Sequence, residues 1–301
     1  MLTWKLWRAL THPPFNNPIF NHISPISDSR PSVRGLFITY LFMFSAMGFC
    51  WSLVYTWIVP LVLPFAFLIN FAYGIYHAQE TAAFITQEKA AKRYDLLSIL
   101  PYGSIGMCWL FCMRQLYKRG RYRIVQFMVR LVTAIFLSSL IIFLFVSIFL
   151  LNTKSSELSI TAFSANTEVA YFTLTGIIIS IGFYLDHVQT IIISSMIGVF
   201  IAAGSPSNQM EARIRAIGIY LSLQVITYIV TFLAISQFIP LHFISEPMGS
   251  TVIIFLGVGG ILTFLIMREM LMWFLRAFTN NRLNSSGHEF SEVLQLIMKS
   301  A

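Results

Sequence analysis

An aspartate inside an apolar run is the first residue in this sequence whose type and place could do chemistry: Asp186, in "YLDHVQT". A carboxylate in such surroundings costs about 2.5 to 3.5 kcal/mol on insertion scales unless it is paired or hydrated. It must therefore face protein or water. Around it, Gly182, Asp186, Thr190, Ser194, Gly198 and Ala202 recur every four positions. On a helix they form one slowly winding stripe of small and polar side chains, a surface suited to close approach of a second helix. The stripe is read first as a packing seam, within the bundle or at a dimer contact, and second as a substrate or proton path. The packing reading expects Asp186→Asn to be tolerated and Gly198→Leu to harm assembly. His187 points about 100° away from the stripe, so Asp186 and His187 are not expected to share a face.

Other chemistry finds little to work with. The six histidines are scattered, with no H-E-x-x-H and no serine in a G-x-S-x-G setting. His77, beside Tyr73 and Tyr76, reads as an interfacial residue. Of the three cysteines, Cys108 and Cys112 are four apart, but two thiols with no histidine nearby make a poor metal site. They read as small apolar packing residues. No G-x-x-x-x-G-K-[ST] is present, so no cofactor is expected on this chain, and any ATP must be bound by another subunit. Gly257, Gly259 and Gly260 read as sites of close helix packing. The chain is not expected to be an enzyme.

The elements that must position these residues follow from composition. Hydrophobic residues make up 57% of the 301, charged ones only 11%, and the mean hydropathy is +0.74. Soluble domains run near a quarter charged, so the expected class is an all-α integral membrane protein forming a single transmembrane domain. Its first residues, "MLTWKLWRALTHPPF", lack the unbroken apolar core of a signal peptide. Trp4, Leu6, Trp7 and Leu10 alternate with Lys5, Arg8 and Thr11 as in a short helix lying in the membrane interface, apolar side down.

Apolar runs of crossing length predict spans at about 35–54, 60–78, 131–151, 216–235 and 251–267. Between the third and fourth of these lies "NTKSSELSITAFSANTEV", read as a polar loop, followed by an ambiguous stretch from Val169 to Ala203. That stretch fits two short helices turning at "LDHVQ", or a re-entrant segment leading into one long helix from about Ile177. Charge favours one crossing. With six spans and both termini cytoplasmic, residues 1–34, 79–130, 204–215 and the tail 268–301 hold every Lys and Arg except Lys154 out of 20. Seven spans would move Arg213, Arg215, Arg268, Arg276, Arg282 and Lys299 outside. The net charge of +8 then reflects an anionic inner leaflet and membrane lipids as partners, and requires no nucleic acid.

A helix is expected to continue off the second span through residues 78–101, with Glu88 and Lys92 at a favourable four-residue spacing and Pro101 as its stop. Within it, "EKAAKRYDLLSILP" resembles the cytoplasmic segment of type-2 ATP-binding-cassette exporter permeases, which often reads E-R-E-x-G-T-L-E-L-L-L-x-T-P. Glu88 and Lys89 match the acidic-basic pair, Asp95 the later acid, Leu96 and Leu97 the leucine pair, and Pro101 the proline. Lys92 and Arg93 stand where the family has Gly and Thr, and Ala90 where it has a second acid. About thirty residues separate Pro101 from the third span, more than the family usually has.

The resemblance implies a coupling helix after span two. Glu80, Glu88, Lys89, Asp95, Leu96, Leu97 and Pro101 would contact a separate ATPase subunit, and permeases would work as a homo- or heterodimer in a bacterial inner membrane. Two other readings stand beside it: a permease-like structural subunit of a larger complex, and a secondary transporter using Asp186.

Overall fold

The computed structural model describes residues 2–11, 59–92, 103–118, 160–204, 206–238 and 250–283, with a few positions between 122 and 133; side chains at 59–67, 160–180, 235, 237–238 and 250–258 are excluded. Expected span 35–54, expected span 131–151 apart from Thr133, and the whole tail beyond residue 283 lie outside these residues. Six helices make up the described chain: α1 (Leu2–Thr11), α2 (Val59–Ala90), α3 (Gly103–Lys118), α4 (Ile160–Ala203), α5 (Gln209–Phe238) and α6 (Ser250–Arg282). No strand occurs among the described residues, in keeping with the all-α expectation.

α4 answers the question the sequence left open. It is a single helix of 44 residues, roughly 66 Å long, with no turn at "LDHVQ". Its start at Ile160 corrects the loop reading for residues 160–169, because the Ser, Thr and Asn residues there are tolerated in a helix whose later turns are strongly apolar; residues 152–159 lie outside the described residues. Of the most apolar 18 residues within Ile181–Ala203, 89% are buried, against 28% for the equivalent part of Gln209–Ala234 in α5. Both are long and apolar enough to cross a membrane. α4 is thus the central helix, packed against all five others.

The flanking helices show why each face points where it does. On α5, Ala212, Ala216, Tyr220, Gln224, Thr227 and Thr231 recur every three or four residues and turn inward. The opposite face exposes Val225, Ile229, Phe232 and other large apolar side chains. α6 repeats the pattern, with Arg268, Met272, Leu275 and Thr279 inside and Ile266, Met270 and Phe274 outside. Polar groups inside and apolar groups outside invert the arrangement of a soluble bundle.

Local signals end the helices. Asn208 Oδ1 accepts the Glu211 amide at 2.8 Å, and Glu211 reaches back to the Ser207 amide at 2.7 Å, capping α5 in the manner of a capping box. α2 stops at Ala90, and Lys92 has φ 58°, the left-handed conformation common just past a helix end. Pro101 is therefore not its stop. α3 was not foreseen: its cluster Met107–Met113, with Cys108 and Cys112 fully inside, packs on α2 and α4. α6 runs unbroken through Arg268 to Arg282, so the boundary drawn at 268 falls inside a helix.

Two close approaches set the spacing around α4. A Cβ on Gly198 would lie 2.7 Å from Thr81 Cβ and 3.1 Å from the Ala78 carbonyl, so α2 meets the stripe at backbone distance. A Cβ on Gly74 of α2 would lie 2.8 Å from Thr190 Cγ2 and closer still to the Tyr220 ring. Gly259 disagrees with its packing expectation, since nothing lies within 4 Å of where its Cβ would be.

Candidate functional site

Four helices each send one or more polar side chains to a common level inside the bundle. Asp186 of α4 is the centre, and Arg268 of α6 is its partner: Nη1 is 2.5 Å from Asp186 Oδ1, 3.1 Å from the Asp186 carbonyl and 3.0 Å from Thr190 Oγ1. Nη2 donates to Gln224 Oε1 of α5 at 2.8 Å, and Gln224 Nε2 donates to the Tyr220 hydroxyl at 3.1 Å. The guanidinium lies 4.7 Å from the Phe264 ring centroid. Both charges are almost completely buried. A buried pair holds only when its remaining hydrogen bonds are also made, as nearly all are here.

Asn70 of α2 completes the group. Its Nδ2 donates to Asp186 Oδ2 at 2.7 Å, and its Oδ1 lies 2.8 Å from His187 Nδ1. An ionised carboxylate only accepts, so the Asn70 amide must present its nitrogen to Asp186 and its oxygen to His187. His187 Nδ1 therefore carries a proton. Asp186 and His187 do point apart, as their spacing demands, yet Asn70 joins them through one amide. The His187 ring meets Trp7 of α1 edge-on, with centroids 6.3 Å apart. Arg268 Nε, His187 Nε2 and Gln189 Oε1 have no hydrogen-bond partner among the described residues.

The stripe divides between roles. Gly198 faces α2, the carbonyl of the buried Ala202 accepts from Lys89 of α2, Gly182 faces Ile261 of α6, and Asp186 and Thr190 enter the polar network. Ser194 satisfies itself on the Ile191 carbonyl at 2.8 Å. Nine residues beyond Asp186, Ser195 donates to the Ile191 carbonyl and meets His77 Nε2 at 2.9 Å. His77 is thus buried and bonded, stacked on Tyr73.

The described part of the coupling segment sits at the end of α2. Thr81 to Thr86 are buried, and the helix emerges from the interior only at Gln87. Glu80 pairs with Arg213 of α5 at 3.0 Å, and Lys89 Nζ donates to the carbonyl of Ala202, near the end of α4, at 2.9 Å. A cation at that position also complements the helix dipole. Glu88 acts on Arg114 of α3, whose guanidinium lies 4.5 Å from the Phe84 ring centroid; burial lowers the Arg114 pKa, and the Glu88 charge opposes that shift. Asp95, Leu96, Leu97 and Pro101 lie outside the described residues.

Sequence reasoning found Asp186 and missed its partners. Arg268 had been assigned to the tail, although "MLMWFL" continues the apolar run beyond it. Asn70 and Gln224 carry the same signal as Asp186, a lone polar residue within an apolar stretch. No protein-family model, curated protein or solved structure matches the chain, and its functional reading rests on this geometry.

Proposed function

We propose that the chain is the membrane-spanning permease subunit of an ATP-binding-cassette transporter, working as a dimer and driven by a separate ATPase. The observation that carries this reading is the course of α2. One helix contributes Asn70 to the inner polar network and, eighteen and nineteen residues on, carries the half-buried Glu88 and Lys89 to its exposed end at Ala90. A rigid connection of that kind, roughly 30 Å long, suits a subunit that receives force at one end and rearranges helices at the other. The inverted polarity of α5 and α6 supports a membrane setting. Charge bias supports six spans with both termini cytoplasmic, and Arg268, neutralised inside the bundle, no longer bears on that count.

The secondary-transporter reading loses support from the same network. Both oxygens of Asp186 are occupied, one by a permanent cation, which leaves no charge to attract a proton or metal ion. Purification from native membranes tests the proposal. An ATPase should co-purify, and reversing Glu88 and Asp95 to Lys should release it while the chain stays inserted. A chain that purifies without any ATPase, or keeps one after the double reversal, speaks against the coupling role.

A further inference from the structure

α1 is held at three points, each on a different helix. Thr3 bonds through its amide to Glu269 at 3.3 Å, and through its hydroxyl to the same carboxylate and to Met272 Sδ of α6. Trp7 meets His187 of α4, and the Thr11 carbonyl accepts from the Tyr117 hydroxyl of α3 at 3.2 Å. α1 is therefore a strap that ties α6, α4 and α3 together. Its length of roughly 15 Å matches two interhelical spacings of about 8 to 10 Å.

The seat beneath the strap is imperfect. Leu6, Ala9 and Leu10 are fully buried, which favours docking, but the His187 ring beside Trp7 is buried with one nitrogen unmet. Its Nδ1 gives its proton to Asn70 Oδ1, so Nε2 is an acceptor, and a buried acceptor without a donor is costly. Release of α1 would take Trp7 from the ring and let water meet Nε2. The apolar side of α1 also has a second place to go, since an amphipathic helix of this pattern can lie in a membrane interface. Asn70 stands between the two seats. It belongs to α2, and its amide holds Asp186 as well as His187. A shift of α2 that draws Asn70 away leaves both ring nitrogens unmet beside Trp7, and the docked seat is weakened further.

We propose that α1 is a releasable latch: docked, it ties α6 to α4 and α3, and released, its apolar side passes into the membrane interface, with the Asn70–His187 bond as the catch that α2 works. This rests on the transporter reading above, in which α2 is the helix that receives force. The latch carries that force to α6, because α6 loses its hold through Thr3 and Glu269 when α1 leaves. The coupling is reciprocal: whatever keeps α1 docked also keeps Asn70 on His187.

The test follows alkylation of Thr3→Cys by N-ethylmaleimide in the full chain in nanodiscs, with Cys50, Cys108 and Cys112 replaced by Ala. Thr3 is buried in the docked seat, so the rate follows the released fraction. Asn70→Leu should raise that rate by about fivefold or more, the fold-change that one unmet buried donor sets. On a His187→Phe background the same substitution should raise it by less than about twofold, because the catch is already gone. Met107→Cys, inside α3, should stay unreactive throughout. Equal acceleration on both backgrounds would overturn the catch, and labelling of Met107→Cys in step with Thr3→Cys would show that α1 leaves only with the bundle, which overturns the latch. None of these measurements needs an ATPase, so they decide the latch even where none co-purifies, an outcome that would remove the transporter reading instead.

Discussion

Arg268 Nη1 lies 2.5 Å from Asp186 Oδ1, across 82 residues of sequence and inside a bundle whose outer faces are apolar. The pair reverses the expectation that Asp186→Asn would be tolerated. Asn keeps the shape but leaves a buried guanidinium uncompensated, so the loss should be about 3 to 5 kcal/mol, and Arg268→Met should cost about as much. Asp186→Leu combined with Arg268→Met should recover most of it, because neither charge is then stranded. Thermal unfolding of the three variants in detergent checks this, and additive losses in the double variant would show that the two residues are not coupled.

Gly198 and Gly218 should respond oppositely to substitution. Gly198→Leu pushes α2 off the stripe, since even a Cβ meets Thr81 at 2.7 Å, and Gly198→Ala should already cost about 1 to 3 kcal/mol. Gly218→Ala meets nothing within 4 Å and should gain about 0.5 to 1 kcal/mol from helix propensity. Unfolding midpoints of the two alanine variants, read side by side, should move in opposite directions.

Asn70→Leu should weaken the network without leaving a bare charge, because Asp186 keeps Arg268. The expected loss is about 1 to 3 kcal/mol, the cost of an unmet buried acceptor. Asn70→Asp should do worse, since it sets a second carboxylate 2.7 Å from the first. Expression level and unfolding temperature should fall in that order, and equal stability of the two variants would count against the assigned amide orientation.

Cysteine labelling on a cysteine-free background checks the orientation. Under the proposed six spans, a cysteine replacing Ser285 should react only from the cytoplasmic side, and one replacing Ser155 only from the outside. Labelling of both from one side would require an odd number of crossings between them to be abandoned.

The sequence by itself determined the all-helical class of the described chain and several of its elements. Long apolar runs with 11% charge dictated helices, because only a helix satisfies its own backbone in an apolar setting. The four-residue recurrence from Gly182 to Ala202 marked the face on which α4 would be approached, since residues four apart stack on one side of a helix. The amphipathic pattern of residues 2–11 marked α1, but a ten-residue pattern is silent on whether protein or lipid covers its apolar side. Only the tertiary structure decided that, by seating Leu6 and Leu10 on the bundle. It also decided what Asp186 is for. Local pattern registers that a buried acid needs compensation; which cation supplies it depends on the relative register of α4 and α6, two helices whose contact is set by packing and not by neighbouring residues. Arg268, Asn70 and Gln224 each register in sequence only as a polar residue among apolar ones, and with Asp186 they become a site only because four helices bring them to one level.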